Sequence, residues 1–310
     1  MRNVIAAALC AILLSWSPAA FAGPVTMPDG VVAQEVRIPA GSVTLAATLY
    51  RPAHARRDLP AMVIVHGSGP TTRAMTGFWT NTALRAGDVA VLVYDKRGTG
   101  QSTGHYPEWD VKTTSAMFSD LASDANYAVR WLATQPGIDH ARIGLLGGSQ
   151  AGWIMPLAAS REPLVRFLFI GEGVPLAAGI EEIHSTYLDS VSKYETTRPT
   201  LRQVNAADAL AEDFIGERGY DPATVLDGLA IPVMWTYGLY DEAIPTHLSI
   251  DRIGVLQKAG KANFDIHIFP FGDHNFYNVF SGDRYDLSAV LRDWLDRKGI
   301  TPAAGRKRRP

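Results

Sequence analysis

Three residue types, in one order along the chain, carry the chemistry this sequence is equipped to perform: serine at 149, aspartate at 241 and histidine at 274. A serine hydroxyl is a weak nucleophile at neutral pH unless a base takes its proton, and an imidazole does so in the right tautomer only when an acid orients it. Ser149 lies in the run Arg142-Ile143-Gly144-Leu145-Leu146-Gly147-Gly148-Ser149-Gln150-Ala151-Gly152, where an apolar stretch ends in small residues and a helical pattern over 153–160 follows at once. So tight a strand-to-helix turn lifts its serine clear of the backbone and excludes bulky neighbours, a demand met by Gly147 before it and Ala151 after it. Asp241 follows the apolar run 233–237 and His274 follows the run 264–269, so each is expected in a loop just past a strand. The reading is Ser149 as nucleophile, His274 as base and Asp241 as the orienting acid. Glu172, just past the run 167–170, is the rival acid, while Glu242 and Asp273 read as loop carboxylates.

Attack on a carbonyl creates an oxyanion that needs N–H donors aimed at it. One is expected from Gln150, directly after the nucleophile. The second is expected from His66-Gly67-Ser68-Gly69-Pro70, with the Ser68 amide first and Gly69 as the alternative. His66 reads as a structural loop histidine. The eight histidines contain no His-x-x-x-His pair, and there is no calcium loop, dinucleotide fingerprint or phosphate loop, so no cofactor and no metal is expected. A net charge of −2 shows no basic bias, so nucleic acid is not an expected partner.

The elements that must position these residues follow from hydrophobic period. Residues 32–38 and 43–50 alternate around the turn residues 39–42 and read as an antiparallel hairpin; residues 51–60 read as a surface loop. The runs 61–65, 89–94, 143–146, 167–170, 233–237 and 264–269 are continuously apolar, as parallel strands covered on both faces are. Met117, Leu121, Ala125, Ala128 and Leu132, and later Leu287, Val290, Leu291, Trp294 and Leu295, recur at helical spacing. This is an α/β pattern with a mostly parallel central sheet and an N-terminal antiparallel hairpin. The C-terminal ends of parallel strands line up on one rim, where Ser149, Asp241 and His274 can converge.

Residues 174–228 hold no strand pattern and read as a small helical lid or as ordinary helical crossover structure. Residues 1–22 combine Arg2, an apolar run and the small residues around Ala22, the composition of a secretory signal peptide, so an exported protein with no membrane span after cleavage is expected. The single cysteine, Cys10, lies in that segment. One domain is expected over 23–300, and residues 301–310 read as a basic solvated tail. Trp109, Trp153, Phe276, Tyr277 and Phe280 are candidates for an acyl pocket but read chiefly as core, and Tyr187 and His184 are candidates within the lid.

These landmarks together resemble the α/β-hydrolase superfamily over about 32–298, nearly all of the chain beyond the signal segment. Tyr94-Asp95-Lys96-Arg97-Gly98-Thr99-Gly100-Gln101-Ser102 is similar to the Asp-x-Arg-Gly-x-Gly-x-Ser segment of the branch holding bacterial esterases, lysophospholipases and serine aminopeptidases. The resemblance implies that this segment is structural, with Asp95 and Arg97 ion-paired. Gly147-Gly148-Ser149 is also similar to prolyl-oligopeptidase-like enzymes, without a stretch for their propeller domain. The implied activity is ester hydrolysis of a small molecule through an acyl-enzyme. Cleavage of a short peptide on the same residues is the alternative, and a non-catalytic binding protein is the remaining one.

Overall fold

Continuous apolar runs leave a strand no wet face, and the chain buries them in the middle of a sheet. In the computed structural model, which describes residues 24–53, 58–192 and 199–301, eight strands form one sheet. They are β1 (Val31–Ala40), β2 (Val43–Pro52), β3 (Leu59–Val65), β4 (Ala90–Tyr94), β5 (Ile138–Gly148), β6 (Val165–Gly171), β7 (Val233–Gly238) and β8 (Phe264–Phe269). The order across the sheet is β1-β2-β4-β3-β5-β6-β7-β8. β1, β2 and β4 pair antiparallel; from β4 through β8 every pairing is parallel. The expected hairpin is therefore present, and the expected loop at 51–60 is shorter, since β2 runs to Pro52 and β3 begins at the buried Leu59. The expected signal segment at 1–22 and all of the expected tail but Thr301 lie outside the described residues.

Helices cover both faces. α1 (Gly77–Ala86) and α8 (Leu287–Arg297) pack on one face, against Met62, Ile64, Val91, Val93, Phe167 and Phe169. α2 (Thr114–Ala133), α3 (Ala151–Arg161), α6 (Ala223–Gly228) and α7 (Thr246–Lys258) pack on the other, against the alternate residues of the same strands. The predicted stripe on α2 is buried throughout, as are Leu287, Leu291, Trp294 and Leu295 of α8. α8 begins where the Asp286 carboxylate accepts from the Ser288 and Ala289 amides at 3.0 and 3.3 Å, capping donors the helix cannot satisfy itself. α1 and α7 show no clear stripe in sequence; Thr80 and Thr82 on α1 and Thr246 and Ser249 on α7 are buried polar positions that blur it. Between β6 and β7 the described residues form α4 (Ala178–Ser192), α5 (Leu201–Glu212) and α6, with no strand, as the pattern of 174–228 implies.

The chain enters the parallel region at β3, crosses to β4 on one side, then returns to β5 on the other. β3 and β5 are thus neighbours whose following loops run to opposite sides, which opens a crevice beyond their C-terminal ends. Val65 pairs with Gly147 there, so the loop after β3 and the turn after β5 leave the sheet side by side.

Candidate active site

Ser149 occupies the turn between β5 and α3 with φ of 57°, a left-handed conformation that a side-chain-bearing residue adopts only when its surroundings impose it. Its amide donates to the Gly171 carbonyl at the end of β6 at 2.9 Å, and its carbonyl accepts from Gly152 at 2.8 Å as α3 begins. A Cβ on Gly147 would lie 2.0 Å from the Val65 carbonyl and 3.1 Å from the Ala151 Cβ, which is the steric reason for small residues on both sides of the serine. On the facing loop, a Cβ on Gly67 would lie 3.4 Å from Ser149 Cβ and 3.9 Å from its Oγ. The loop 66–69 therefore packs directly against the hydroxyl.

Asp241 and His274 follow β7 and β8, which pair through Gly238 and Phe269 at their ends. Nδ1 of His274 lies 2.8 Å from Oδ2 of Asp241, and both side chains are buried. The other oxygen, Oδ1, accepts from the Ala243 and Ile244 amides at 2.7 and 3.1 Å, so the carboxylate cannot swing away. Burial opposes charge on Asp241, but His274, together with hydrogen bonds from His274, Glu172 and the Ala243 amide, holds its pKa below the ordinary carboxylate value. Burial likewise opposes charge on His274, yet Asp241, Glu242 and Asp273 raise it above the usual 6.5. The structure brings Asp241 and His274 into contact; Ser149 Oγ stands on the same rim and is in no hydrogen bond among the described residues.

Glu172, the rival acid, lies just past β6 and is fully buried. Its Oε1 accepts from the Gly238 amide at 2.7 Å, while Oε2 meets no donor. Burial, and then the Asp241 carboxylate beside it, raise the pKa of Glu172 well above the ordinary carboxylate value, which favours its protonated form. The two candidate acids are thus partners, with Asp241 alone bonded to the imidazole. Asp273 shapes the His274 loop instead: its Oδ1 accepts from the Asn275 and Tyr277 amides at 2.9 and 2.8 Å. Two partly buried carboxylates interact electrostatically with His274: Glu242 is pushed up to about 7, and Glu181 on α4 to about 8, chiefly by burial.

The amides of Ser68 and Gln150 have no acceptor among the described residues, whereas the Gly69 amide faces the Tyr106 hydroxyl. His66 is buried against the Tyr94 ring, 4.9 Å between centroids, and burial drives its imidazole down to about 3, so it stays neutral. Asp95 and Arg97 do not pair with each other. Asp95 binds Arg73 and the Gln101 amide, whereas Arg97 grips Asp124 of α2 through two bonds of 2.8 and 2.9 Å and also meets Asp120. The residue between them, Lys96, sends its ammonium into the site, where it donates to the Gly67 and Gly69 carbonyls and to Gln150 Oε1. Sequence reading missed it, because a lysine flanked by two charged residues looks solvated; the signal was the alternation of side-chain direction on leaving a strand.

Trp153 and Phe276 are core residues, Trp153 stacked on Phe118 and Phe276 enclosed by Phe78, Trp79 and Phe269. Trp109 donates to Glu182 at 3.1 Å. Phe280 and Tyr277 are exposed, and Phe280 groups with Tyr240 and Phe271 at the surface. His184 is buried with Nε2 3.3 Å from Asp208 Oδ1, linking α4 to α5, and Tyr187 lines a cavity with Thr200, Arg202, Gln203 and Ala206, none of them a site residue. No cluster of side chains suited to a metal occurs among the described residues.

Comparison with known proteins fits this geometry. The chain is 25% identical over 258 residues to a dipeptidyl-aminopeptidase B of Fusarium vanettenii, covering 79% of this chain and 25% of that protein. It is 26% identical over 236 residues to the esterase EstD of Thermotoga maritima, covering 69% of this chain and 54% of that one. This chain thus spans a quarter of the first relative's length and about half of the second's. Among solved structures, the Pyrococcus horikoshii acylaminoacyl peptidase superimposes with a TM-score of 0.63 at 17% identity, over 90% of this chain and 43% of that one. A Pyrococcus furiosus esterase superimposes with a TM-score of 0.62 at 16% identity, over 92% and 95% respectively. These two share the α/β-hydrolase fold. Residues 76–298, which include Ser149, Asp241 and His274, match the profile of the prolyl oligopeptidase family, and the chain belongs to that family within the α/β-hydrolase superfamily.

Proposed function

We propose that this protein hydrolyses carboxylic esters through a covalent acyl-enzyme on Ser149. His274 takes the hydroxyl proton as Ser149 attacks the ester carbonyl, and Asp241 holds the imidazole in the tautomer that can accept it. The Gln150 and Ser68 amides, with Gly69 adjacent, donate to the oxyanion; His274 then protonates the leaving alcohol, and water repeats the sequence on the acyl group. The observation that carries this reading is the buried 2.8 Å contact of His274 with Asp241 on the rim that holds Ser149 in its strained turn. The esterase among the relatives supports the ester as substrate. Ser149→Ala is expected to abolish turnover of a p-nitrophenyl ester and labelling by a fluorophosphonate. Near-native turnover by the purified variant would refute the assignment, and a wild type that neither turns over nor labels would favour a binding protein.

Cleavage of an amide next to a free amino group is the second reading, supported by the dipeptidyl-aminopeptidase relative and by Glu181 and Glu242 around His274, acidic groups whose raised pKa values a substrate ammonium would lower. Rates on acyl esters against aminoacyl amides separate the two. In either case α4 acts as a cover: the interaction of Glu181 with His274 and the Trp109–Glu182 bond support its seat over the site.

A further inference from the structure

Lys96 is a buried cation, only 2% exposed. Its Nζ donates to the Gly67 carbonyl at 2.5 Å, the Gly69 carbonyl at 3.1 Å and Gln150 Oε1 at 3.0 Å, and stands 4.9 Å from the centre of the Tyr106 ring. All three ammonium protons are therefore spent on neutral acceptors. Among the described residues Lys96 has no ion-pair partner. Its ionisable neighbours are uncharged near neutrality, His66 because burial and Lys96 itself lower it to about 3, Tyr106 because burial raises it to about 12. Burying an unpaired charge is costly, and here desolvation alone drives the ammonium down to about 7. A site that retains such a charge gains from it only when a negative charge arrives nearby.

The acceptors say where that charge would arise. The Gly67 carbonyl and the Ser68 N–H are the two ends of one peptide unit, so a cation bonded to the oxygen polarises the unit and makes the N–H a stronger donor. Gln150 supplies the other amide, and its side chain is anchored by the same ammonium. Resting on the serine-hydrolase reading above, we infer that Lys96 is a positioning residue of the oxyanion hole, tying the loop 66–69 to Gln150 and setting one positive charge behind both N–H donors. It touches no reacting atom; it acts through the two amides that do.

The test compares Lys96→Met and Lys96→Arg with wild type and with Ser149→Ala. The readouts are turnover of a neutral p-nitrophenyl ester and affinity for a trifluoromethyl ketone, which forms a tetrahedral adduct on a nucleophilic serine. Lys96→Met is expected to lower kcat by roughly a hundredfold, the scale of losing one oxyanion donor, with KM little changed. Ketone affinity should fall by a comparable factor, and Lys96→Arg should recover part of both. A Lys96→Met protein that melts earlier but keeps native kcat and ketone affinity in its folded state would overturn the inference. If Lys96→Met does not fold, the Cε resonance of Lys96 in wild type, assigned by its loss in Lys96→Arg, gives a second readout. Titrated free and in the ketone adduct, it should report an ammonium harder to deprotonate in the adduct; no change, or the reverse, would overturn the inference. Failure of the hydrolase reading itself looks different, because Ser149→Ala would then retain turnover.

Discussion

Glu172 and Asp241 are two buried carboxyl groups that interact, and folding moves their pKa values in opposite directions, Glu172 up and Asp241 down. Folding raises the pKa of Glu172 above its ordinary 4.5, so the stability this group contributes is present below that value and is lost as pH rises through its elevated folded value. Glu172→Gln keeps a donor for Asp241 and removes that slope; denaturant titrations from about pH 5 to about pH 8 should show a flatter stability profile than wild type. Glu172→Leu leaves the Gly238 amide unsatisfied and should lose about 1–3 kcal/mol at acidic pH. His274 must be neutral to act as base, and its neighbouring carboxylates raise it, so the acid limb of kcat/KM should inflect above 6.5. Asp241→Asn should lower kcat by about 10⁴-fold, an effect read in initial rates at the pH optimum. Ser149, Asp241 and His274 stood out in the sequence because each follows an apolar run of strand length. The burial of Lys96 and the raised pKa of Glu172 did not, because burial decides them and a one-dimensional pattern does not report which charged side chains turn inward.

The β3 and β5 strands govern the spacing of this chemistry. The Val65–Gly147 pairing fixes how far the loop 66–69 stands from Ser149, and the missing Cβ at 147 lets the strands approach that closely. Gly147→Ala should cost about 1–3 kcal/mol by overpacking and, because the strands must part, should also lower kcat; a thermal melt and initial rates on the same sample check both. The parallel strands were legible from their unbroken apolar runs, and α2 and α8 from their stripes. α1 and α7 were not, since buried threonine and serine positions interrupt the apolar period. The start of β5 at Ile138 was also hidden, because Asp139, His140 and Arg142 are polar residues of a strand that is exposed there. That end of the strand lies opposite the catalytic rim and is held by Arg142, which binds Asp139 and the Ile300 carbonyl.

Across the whole molecule, the sheet carries α1 and α8 on one face and α2, α3, α6 and α7 on the other, while α4 joins the larger core only through Ala178 and otherwise packs with α5 in small clusters. Selectivity is expected to reside in that pair, because Glu181 of α4 reaches the imidazole's field. Glu181→Gln should reduce kcat/KM for esters and amides bearing an α-ammonium while sparing neutral acyl esters; a paired substrate panel measures the ratio. The pattern of 174–228 was readable as helix but not as to where its acidic residues would point. One further consequence follows from the full enclosure of Asp241 against His274. Dissolved ions weaken attraction between charges they can surround, and at 1 M the screening distance is only about 3 Å in water. No ion can enter between these two side chains, so hydrolysis of an uncharged ester should proceed almost as fast in brine as in dilute buffer.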